Sequence, residues 1–305
     1  MVKKYLSLVK FSHTIFAMPF ALIGFCLALV PDHKLSPVPV PGWHTTIYPE
    51  GWWKPLITKL LLVILCMIFA RSAAMAFNRW LDKNFDAQNP RTAIREIPAG
   101  IISANSALLF VVFNCVAFIV TTWFINMLCF YLSFVALFVI LFYSYTKRFT
   151  ALCHLVLGLG LSLAPIGAYL AVRGEFALIP VLFSLIVLTW VSGFDIIYAL
   201  QDEEFDRSQK LHSIPVWLGR KYALRVSEIL HIISALLVIV IGFSYNFHWL
   251  YWIGTAIFAG MLIYQHSIVK PTDLSKVNIA FMTANGIASI AFAVFVIADI
   301  LILIF

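Results

Sequence analysis

Charge is the scarcest property of this chain. Only 11% of its 305 residues are Asp, Glu, Lys or Arg, against about a quarter in an ordinary soluble domain. That shortage, with 62% hydrophobic residues and a mean hydropathy of +0.96, excludes a soluble globular fold. No polar stretch is long enough to form a separate soluble domain, so residues 1–305 read as a single polytopic membrane domain. Cysteine is also sparse: Cys26, Cys66, Cys115, Cys129 and Cys153 lack C-x-x-C spacing, which argues against a disulfide framework or a zinc site and leaves them as packing residues. Acidic residues number 14 against 21 basic ones, a net charge of +7. In a membrane chain such an excess points to topology rather than to nucleic acid, and no nucleic-acid partner is expected.

What is abundant is the long apolar run. Nine candidate spans begin near His13, Pro55, Ala104, Met127, Cys153, Ala177, Ala223, Phe247 and Ile279. The expected fold is therefore an all-α integral membrane protein with nine transmembrane helices. Alternating the loops puts sixteen Lys and Arg on one face and only Lys34, Lys54, Lys59 and Arg173 on the other, with Arg71 left inside a span. The positive-inside rule then places the N-terminus in the cytoplasm and, the span count being odd, the C-terminus outside, in a multi-pass protein of the plasma (inner) membrane. The first outer loop, Pro31 to Pro55, is rich in Pro and Trp and reads as an extended segment with aromatics at headgroup level. The first apolar run lacks a convincing cleavage site and is taken as a retained span.

The few carboxylates cluster. Asp82, Asp86 and Glu96 fall in one short window; Asp195, Asp202, Glu203, Glu204 and Asp206 fall in another. On a helix Asn78, Asp82 and Asp86 would line one face and converge on one small volume. Tyr198, Asp202 and Asp206 repeat that spacing 120 positions later. Like charges crowded at a membrane boundary repel and are costly to desolvate, and a divalent cation resolves both problems. Oxygen-only ligands favour Mg²⁺, which binds through one or two carboxylates plus substrate phosphates, so a diphosphate is the natural third party. Arg91 and Arg95, one helical turn apart, with Lys147 and Arg148 in the next loop, could grip its oxygens or act only as topology determinants. Glu203 and Glu204 read as solvated flanks.

Arg71 lies seven residues before Asn78 and so on the same face. An intramembrane arginine faces the bundle interior with a partner. That partner is either an anionic group on a substrate or Asp195, which stands seven residues before Asp202. The histidines, His154, His212 and His231 among them, show no ligand spacing and are read as structural or interfacial.

These motifs carry a resemblance. Asn78-x-x-x-Asp82-x-x-x-Asp86 with Asn89-Pro90-Arg91-Thr92 and Arg95 resembles the first aspartate-rich motif of the UbiA superfamily of intramembrane aromatic prenyltransferases. Gly193 to Asp206 resembles its second motif, and Tyr143 to Arg148 its connecting loop. The stretch Lys10 to Ala21 and the phrase Tyr198-Ala199-Leu200-Gln201-Asp202 are similar to the 4-hydroxybenzoate polyprenyltransferase branch.

The resemblance implies two pseudo-repeated halves around a central cavity, with membrane lipids around the bundle. It implies two Mg²⁺ ions held by Asp82, Asp86, Asp202 and Asp206. Asn78, Arg91, Arg95, Lys147 and Arg148 would bind the diphosphate of a polyprenyl donor. Arg71 and Asp195 would flank the aromatic hydroxy acid, and Tyr143 and Tyr198 the carbocation. The acceptor is expected to be 4-hydroxybenzoate in ubiquinone synthesis, with a dihydroxynaphthoate in menaquinone synthesis as the alternative. An ion or anion transporter is the rival from another class; it would scatter intramembrane charges over several helices, whereas here they gather at one end.

Overall fold

With no water in the hydrocarbon, every backbone N–H and C=O must be satisfied inside its own segment, so apolar runs of this length become helices. The computed structural model describes residues 2–9, 16–31 and 53–304. Their helices are α1 (Val2–Leu8), α2 (Met18–Leu27), α3 (Trp53–Leu81), α4 (Lys83–Gln88), α5 (Ala104–Ile125), α6 (Met127–Thr146) and α7 (Cys153–Arg173). These are followed by α8 (Leu178–Ala199), α9 (Glu203–Ser208), α10 (Ile214–Ser244), α11 (Trp249–Ile268) and α12 (Asn285–Ile304). A single 3₁₀ turn, Leu200–Asp202, joins α8 to α9, and a π-helical turn, Ile279–Ala284, leads into α12. No strand occurs among the described residues.

Seven of these helical stretches are long and apolar enough to cross a membrane. The expected count of nine differs at two places. α2 has ten described residues, and Lys10 to Ile15, where the first span was expected to begin, lie outside the described residues, as do residues 32–52 of the Pro/Trp-rich loop. α11 has the length but not the hydropathy, because Trp249, Tyr251, Trp252, Gln265 and His266 dilute its aliphatic residues.

The two halves repeat. Each aspartate motif is a long helix that breaks and resumes as a six-residue helix, Lys83–Gln88 in the first half and Glu203–Ser208 in the second, again 120 positions apart. The following helices match in burial as well. Ala107, Val111, Asn114, Phe118, Thr121 and Thr122 of α5 are buried, and so are Ser227, His231, Ser234, Val238, Ile241 and Gly242 of α10.

Contact between helices depends on small residues, as expected where lipid competes equally for apolar side chains. At Gly24 a Cβ would lie 2.0 Å from the Pro165 carbonyl oxygen, so α2 rests directly on the backbone of α7. Large rings fill the second half: Phe183, Trp190, Tyr251, Phe258 and Phe292 are fully buried in one cluster with Phe20. The contact between α2 and α7 is built on smaller side chains, Ala17, Ala21, Ala164, Ala168 and Ala171. The volume left over is a cavity of about 320 Å³ walled by α3, α5, α6 and α7. The cavity thus opens where the small side chains of α7 face α3, α5 and α6.

Candidate active site

The chain does not run as one helix through the first motif. α3 ends at Leu81, and Asp82 leaves helical geometry at φ −92° and ψ 7° before α4 begins. The i to i+4 hydrogen bonds nevertheless continue across the break, from Asp82 N to the Asn78 carbonyl at 2.9 Å and from Asp86 N to the Asp82 carbonyl at 2.8 Å. The spacing read from the sequence therefore survives, although the uninterrupted helix does not. The same interruption occurs at Leu200–Asp202 in the second motif.

Cations from other segments hold these carboxylates. Asp82, 2% exposed, pairs through Oδ2 with Lys147 at 2.8 Å and through Oδ1 with Arg148 at 3.0 Å, and accepts from Asn78 Nδ2 at 3.2 Å. Arg148 also donates to the Leu81 carbonyl at 3.2 Å, locking the end of α3. Asp86 Oδ1 pairs with Arg95 at 2.7 Å, while its Oδ2 is buried without a partner. Asp202 takes Arg91 bidentately, with Nε to Oδ1 at 3.0 Å and Nη2 to Oδ2, and accepts from Asn89 Nδ2 at 3.3 Å. Arg91 Nη1 donates to the Tyr198 hydroxyl at 2.9 Å, its guanidinium 5.3 Å from the centre of that ring. Burial alone would lower the Arg91 pKa; the Asp202 carboxylate more than offsets this and leaves it raised. The Asp206 carboxylate makes no hydrogen bond or ion pair among the described residues.

Asn89 and Arg91 from the first motif thus reach the second, and Lys147 and Arg148 reach back to the first. Arg91 and Arg95 do not lie on successive turns of a helix as expected. The chain from Asn89 to Gly100 is a series of turns, which sends Arg91 to Asp202 and Arg95 to Asp86. Tyr143 to Thr146, expected in a connecting loop, form the last turn of α6, which places Lys147 and Arg148 just beyond a helix end. The full convergence expected of the aspartates is not assembled: no three His, Cys, Asp or Glu side chains stand at metal-binding spacing among the described residues. What the donor set offers a hard cation is oxygen only, with an orphaned buried oxygen on Asp86 and an unengaged carboxylate on Asp206.

Two acidic residues of the windows have structural partners. Glu96 pairs with Arg79 at 3.6 Å, both nearly buried, and accepts from the Ser7 hydroxyl, tying α1 and the loop to α3. Glu203 is buried between Arg207 and Arg220, each at 2.8 Å, so it anchors α9 to α10 and is not a solvated flank; Glu204, 88% exposed in its side chain, is one.

Arg71 and Tyr143 line the cavity, whose wall is otherwise almost entirely apolar. Arg71 Nε is buried and has no hydrogen-bond partner. The suggested ion pair with Asp195 does not form; Asp195 Oδ2 is instead held by His154 Nδ1 at 2.7 Å. Tyr143 stands within electrostatic range of Arg71, Asp82 and Asp195, at the junction of cavity and aspartate motifs. Phe281, on the π-helical turn, packs against Tyr198 with ring centres 4.2 Å apart and planes tilted by 31°. From the sequence His154 reads only as structural or interfacial and Phe281 is not singled out; one of eight histidines and one of 27 phenylalanines carry no spacing signal.

Comparison with known proteins agrees with this arrangement. The profile of the UbiA prenyltransferase family matches residues 40–292. A 4-hydroxybenzoate octaprenyltransferase of Francisella tularensis subsp. novicida is 30% identical over 268 residues, 87% of this chain and 94% of that protein. One of Tolumonas auensis is 30% identical over 236 residues, 77% and 82% of the two chains. Among solved structures, the apo form of a UbiA homolog from Aeropyrum pernix K1 superposes with a TM-score of 0.75 at 28% identity, covering 95% of this chain and 97% of that one. A UbiA homolog from Archaeoglobus fulgidus bound to GPP and Mg²⁺ shares the fold at a TM-score of 0.73 and 20% identity, covering 97% and 99%. With most of its length matched by the family profile and its paired aspartate motifs brought to one end of a helical membrane bundle, this chain belongs to the UbiA prenyltransferase family.

Proposed function

We propose that this enzyme transfers a polyprenyl group from a polyprenyl diphosphate to 4-hydroxybenzoate, in an Mg²⁺-dependent electrophilic substitution on the aromatic ring. The observation that carries the choice of an acidic acceptor is Arg71, whose Nε is buried and unpartnered in a largely apolar cavity. A buried cation calls for an anion, and a benzoate carboxylate fits. The names of the similar Francisella and Tolumonas proteins support the same acceptor. Positive-inside topology supports placing the aspartate end in the cytoplasm.

Asp82, Asp86, Asp202 and Asp206 would hold two Mg²⁺ ions, which when bound neutralise the charge that grows on the leaving diphosphate. Asn78 keeps Asp82 oriented. Arg91, Arg95, Lys147 and Arg148 exchange their carboxylate contacts for diphosphate oxygens, so that the allylic C–O bond breaks with its electron pair leaving on the diphosphate. The faces of Tyr143 and Tyr198 stabilise the allylic cation as it passes. The ring carbon next to the hydroxyl then forms the new C–C bond, and Asp195, with Oδ1 unengaged, takes the proton that this carbon sheds.

The test offers membranes containing the enzyme Mg²⁺ and one polyprenyl diphosphate, with 4-hydroxybenzoate and a dihydroxynaphthoate in competition. A product mass of prenylated 4-hydroxybenzoate is expected. A prenylated naphthoate as the main product would reassign the acceptor, and ion flux in liposomes without diphosphate release would overturn the enzyme reading.

A further inference from the structure

His154 is the buried histidine that touches the proposed chemistry. It stands in the first turn of α7, its side chain 4% exposed, with both ring nitrogens engaged. Nδ1 lies 2.7 Å from Asp195 Oδ2. Nε2 accepts from the backbone N–H of Ile214, the first residue of α10, at 3.4 Å. That N–H has no carbonyl within its own helix to receive it, and it can donate only into a bare nitrogen. A ring carrying hydrogen on both nitrogens would set two donors against each other. The tautomer is therefore determined by its neighbours: Nε2 bare, Nδ1 protonated and donating to Asp195.

The backbone beneath the ring is also pinned. The Ser192 hydroxyl lies 2.7 Å from the Leu188 carbonyl and 3.1 Å from the His154 carbonyl, so its one hydrogen is shared between α8 and α7. One turn further on, a Cβ at Gly158 would lie 2.5 Å from the Leu188 carbonyl oxygen, so α7 and α8 are in close backbone contact there. The ring also bridges elements. Ile214 follows the segment in which His212 N donates to the Lys147 carbonyl at 2.7 Å. Asp195 is thus connected, through His154 and Ile214, to the segment that hydrogen-bonds the backbone of Lys147, the proposed diphosphate-binding lysine.

We infer that His154 is the positioning residue for Asp195: a fixed Nδ1–H donor that holds one carboxylate oxygen and leaves the other without a hydrogen bond among the described residues, free to take a proton. This rests on the reading of Asp195 as the group that takes the ring proton. Loss of the donor frees the carboxylate to rotate, and misplacement of a reacting group by 1 Å costs on the order of 10²-fold in rate.

The experiment compares wild type, His154→Leu and His154→Gln in lipid nanodiscs, with kcat and both KM values measured separately. Glutamine retains one donor and one acceptor. His154→Leu is expected to lower kcat about 10–100-fold with donor KM unchanged, and His154→Gln to restore kcat to within about fivefold of wild type. Equal losses in both variants, or normal kcat in His154→Leu, overturn the assignment. A parallel ¹⁵N-histidine NMR spectrum in bilayers reads the tautomer without turnover. Nδ1 protonated and Nε2 bare, with the Nδ1 signal moving in Asp195→Ala, supports the assignment; any other protonation pattern overturns it. If wild type prenylates neither acid, the functional reading fails while the spectrum still decides the role of His154.

Discussion

Replacing Arg71 with leucine separates binding of the acceptor from stability of the fold. The guanidinium has no hydrogen bond among the described residues and its Nε is buried unpaired, so the free protein loses no hydrogen bond when it goes. Leucine keeps the apolar volume of the stem and removes a desolvated charge. The melting temperature in detergent should therefore hold or rise. Substrate binding should suffer instead. A hydrogen bond to a charged group contributes about 1.5–3 kcal/mol, which at 1.36 kcal/mol per decade predicts an increase in acceptor KM of roughly 10- to 150-fold. With the contact made equally in ground and transition states, kcat should stay near wild type. The assay is initial rate against 4-hydroxybenzoate at saturating donor and Mg²⁺, repeated with 4-hydroxybenzyl alcohol, which lacks the carboxylate. Wild type should prefer the acid and Arg71→Leu should lose most of that preference. An unchanged acceptor KM with a raised donor KM would move Arg71 to the diphosphate subsite, and a large fall in melting temperature would make it a structural residue.

Asp82→Asn and Asp202→Asn should each lower kcat/KM by about 10²–10³-fold or more while the protein still elutes as a folded species, because each removes charge from the proposed metal and diphosphate clamp; near-normal turnover in both would sink that clamp. Glu96→Ala leaves Arg79, 3% exposed, without its carboxylate, so unfolding in detergent should become about 3–5 kcal/mol easier while activity per folded molecule persists. Gly24→Ala drives a methyl group to 2.0 Å from the Pro165 carbonyl, and the strain should cost about 1–3 kcal/mol, read as a lower melting temperature.

The helices and the repeat were legible because both are properties of spacing. Apolar length marks a helix in lipid, and the 120-residue offset between Asp82 and Asp202 carries over to the short helices behind them and to the buried faces of α5 and α10. The breaks at Asp82 and Leu200 were not legible, since hydrogen bonds at i to i+4 spacing continue through the first of them and no Pro or Gly marks either. Nor was the cavity. A residue that lines it, such as Leu163, and one that faces lipid, such as Leu109, belong to the same apolar alphabet. The void lies where small residues of α7 face α3, α5 and α6, a juxtaposition of residues far apart in the chain. His154 and Asp195 lie 41 residues apart on different helices, a pairing that no local pattern announces.

The ion pairs at the aspartate end also bear on the order in which substrates bind. The four motif aspartates are matched in number by Arg91, Arg95, Lys147 and Arg148, and three of the aspartates already hold one or more of these cations. Mg²⁺ alone must compete with cations seated 2.7–3.0 Å from their carboxylates at Asp82 and Asp86. A diphosphate alone must draw those cations away and leave carboxylates buried and uncompensated, which is costly. Arriving together, each satisfies what the other exposes: carboxylates turn to metal, and guanidinium and ammonium groups turn to phosphate oxygens. Binding of Mg²⁺ and of a non-hydrolysable prenyl diphosphate should therefore be mutually dependent, each raising the affinity of the other by the same factor. Typical coupling of about 1–3 kcal/mol makes that factor roughly 5–150. Calorimetric titrations of each ligand with and without the other measure it directly, and independent binding of the two would show that the chain cations are not the groups exchanged.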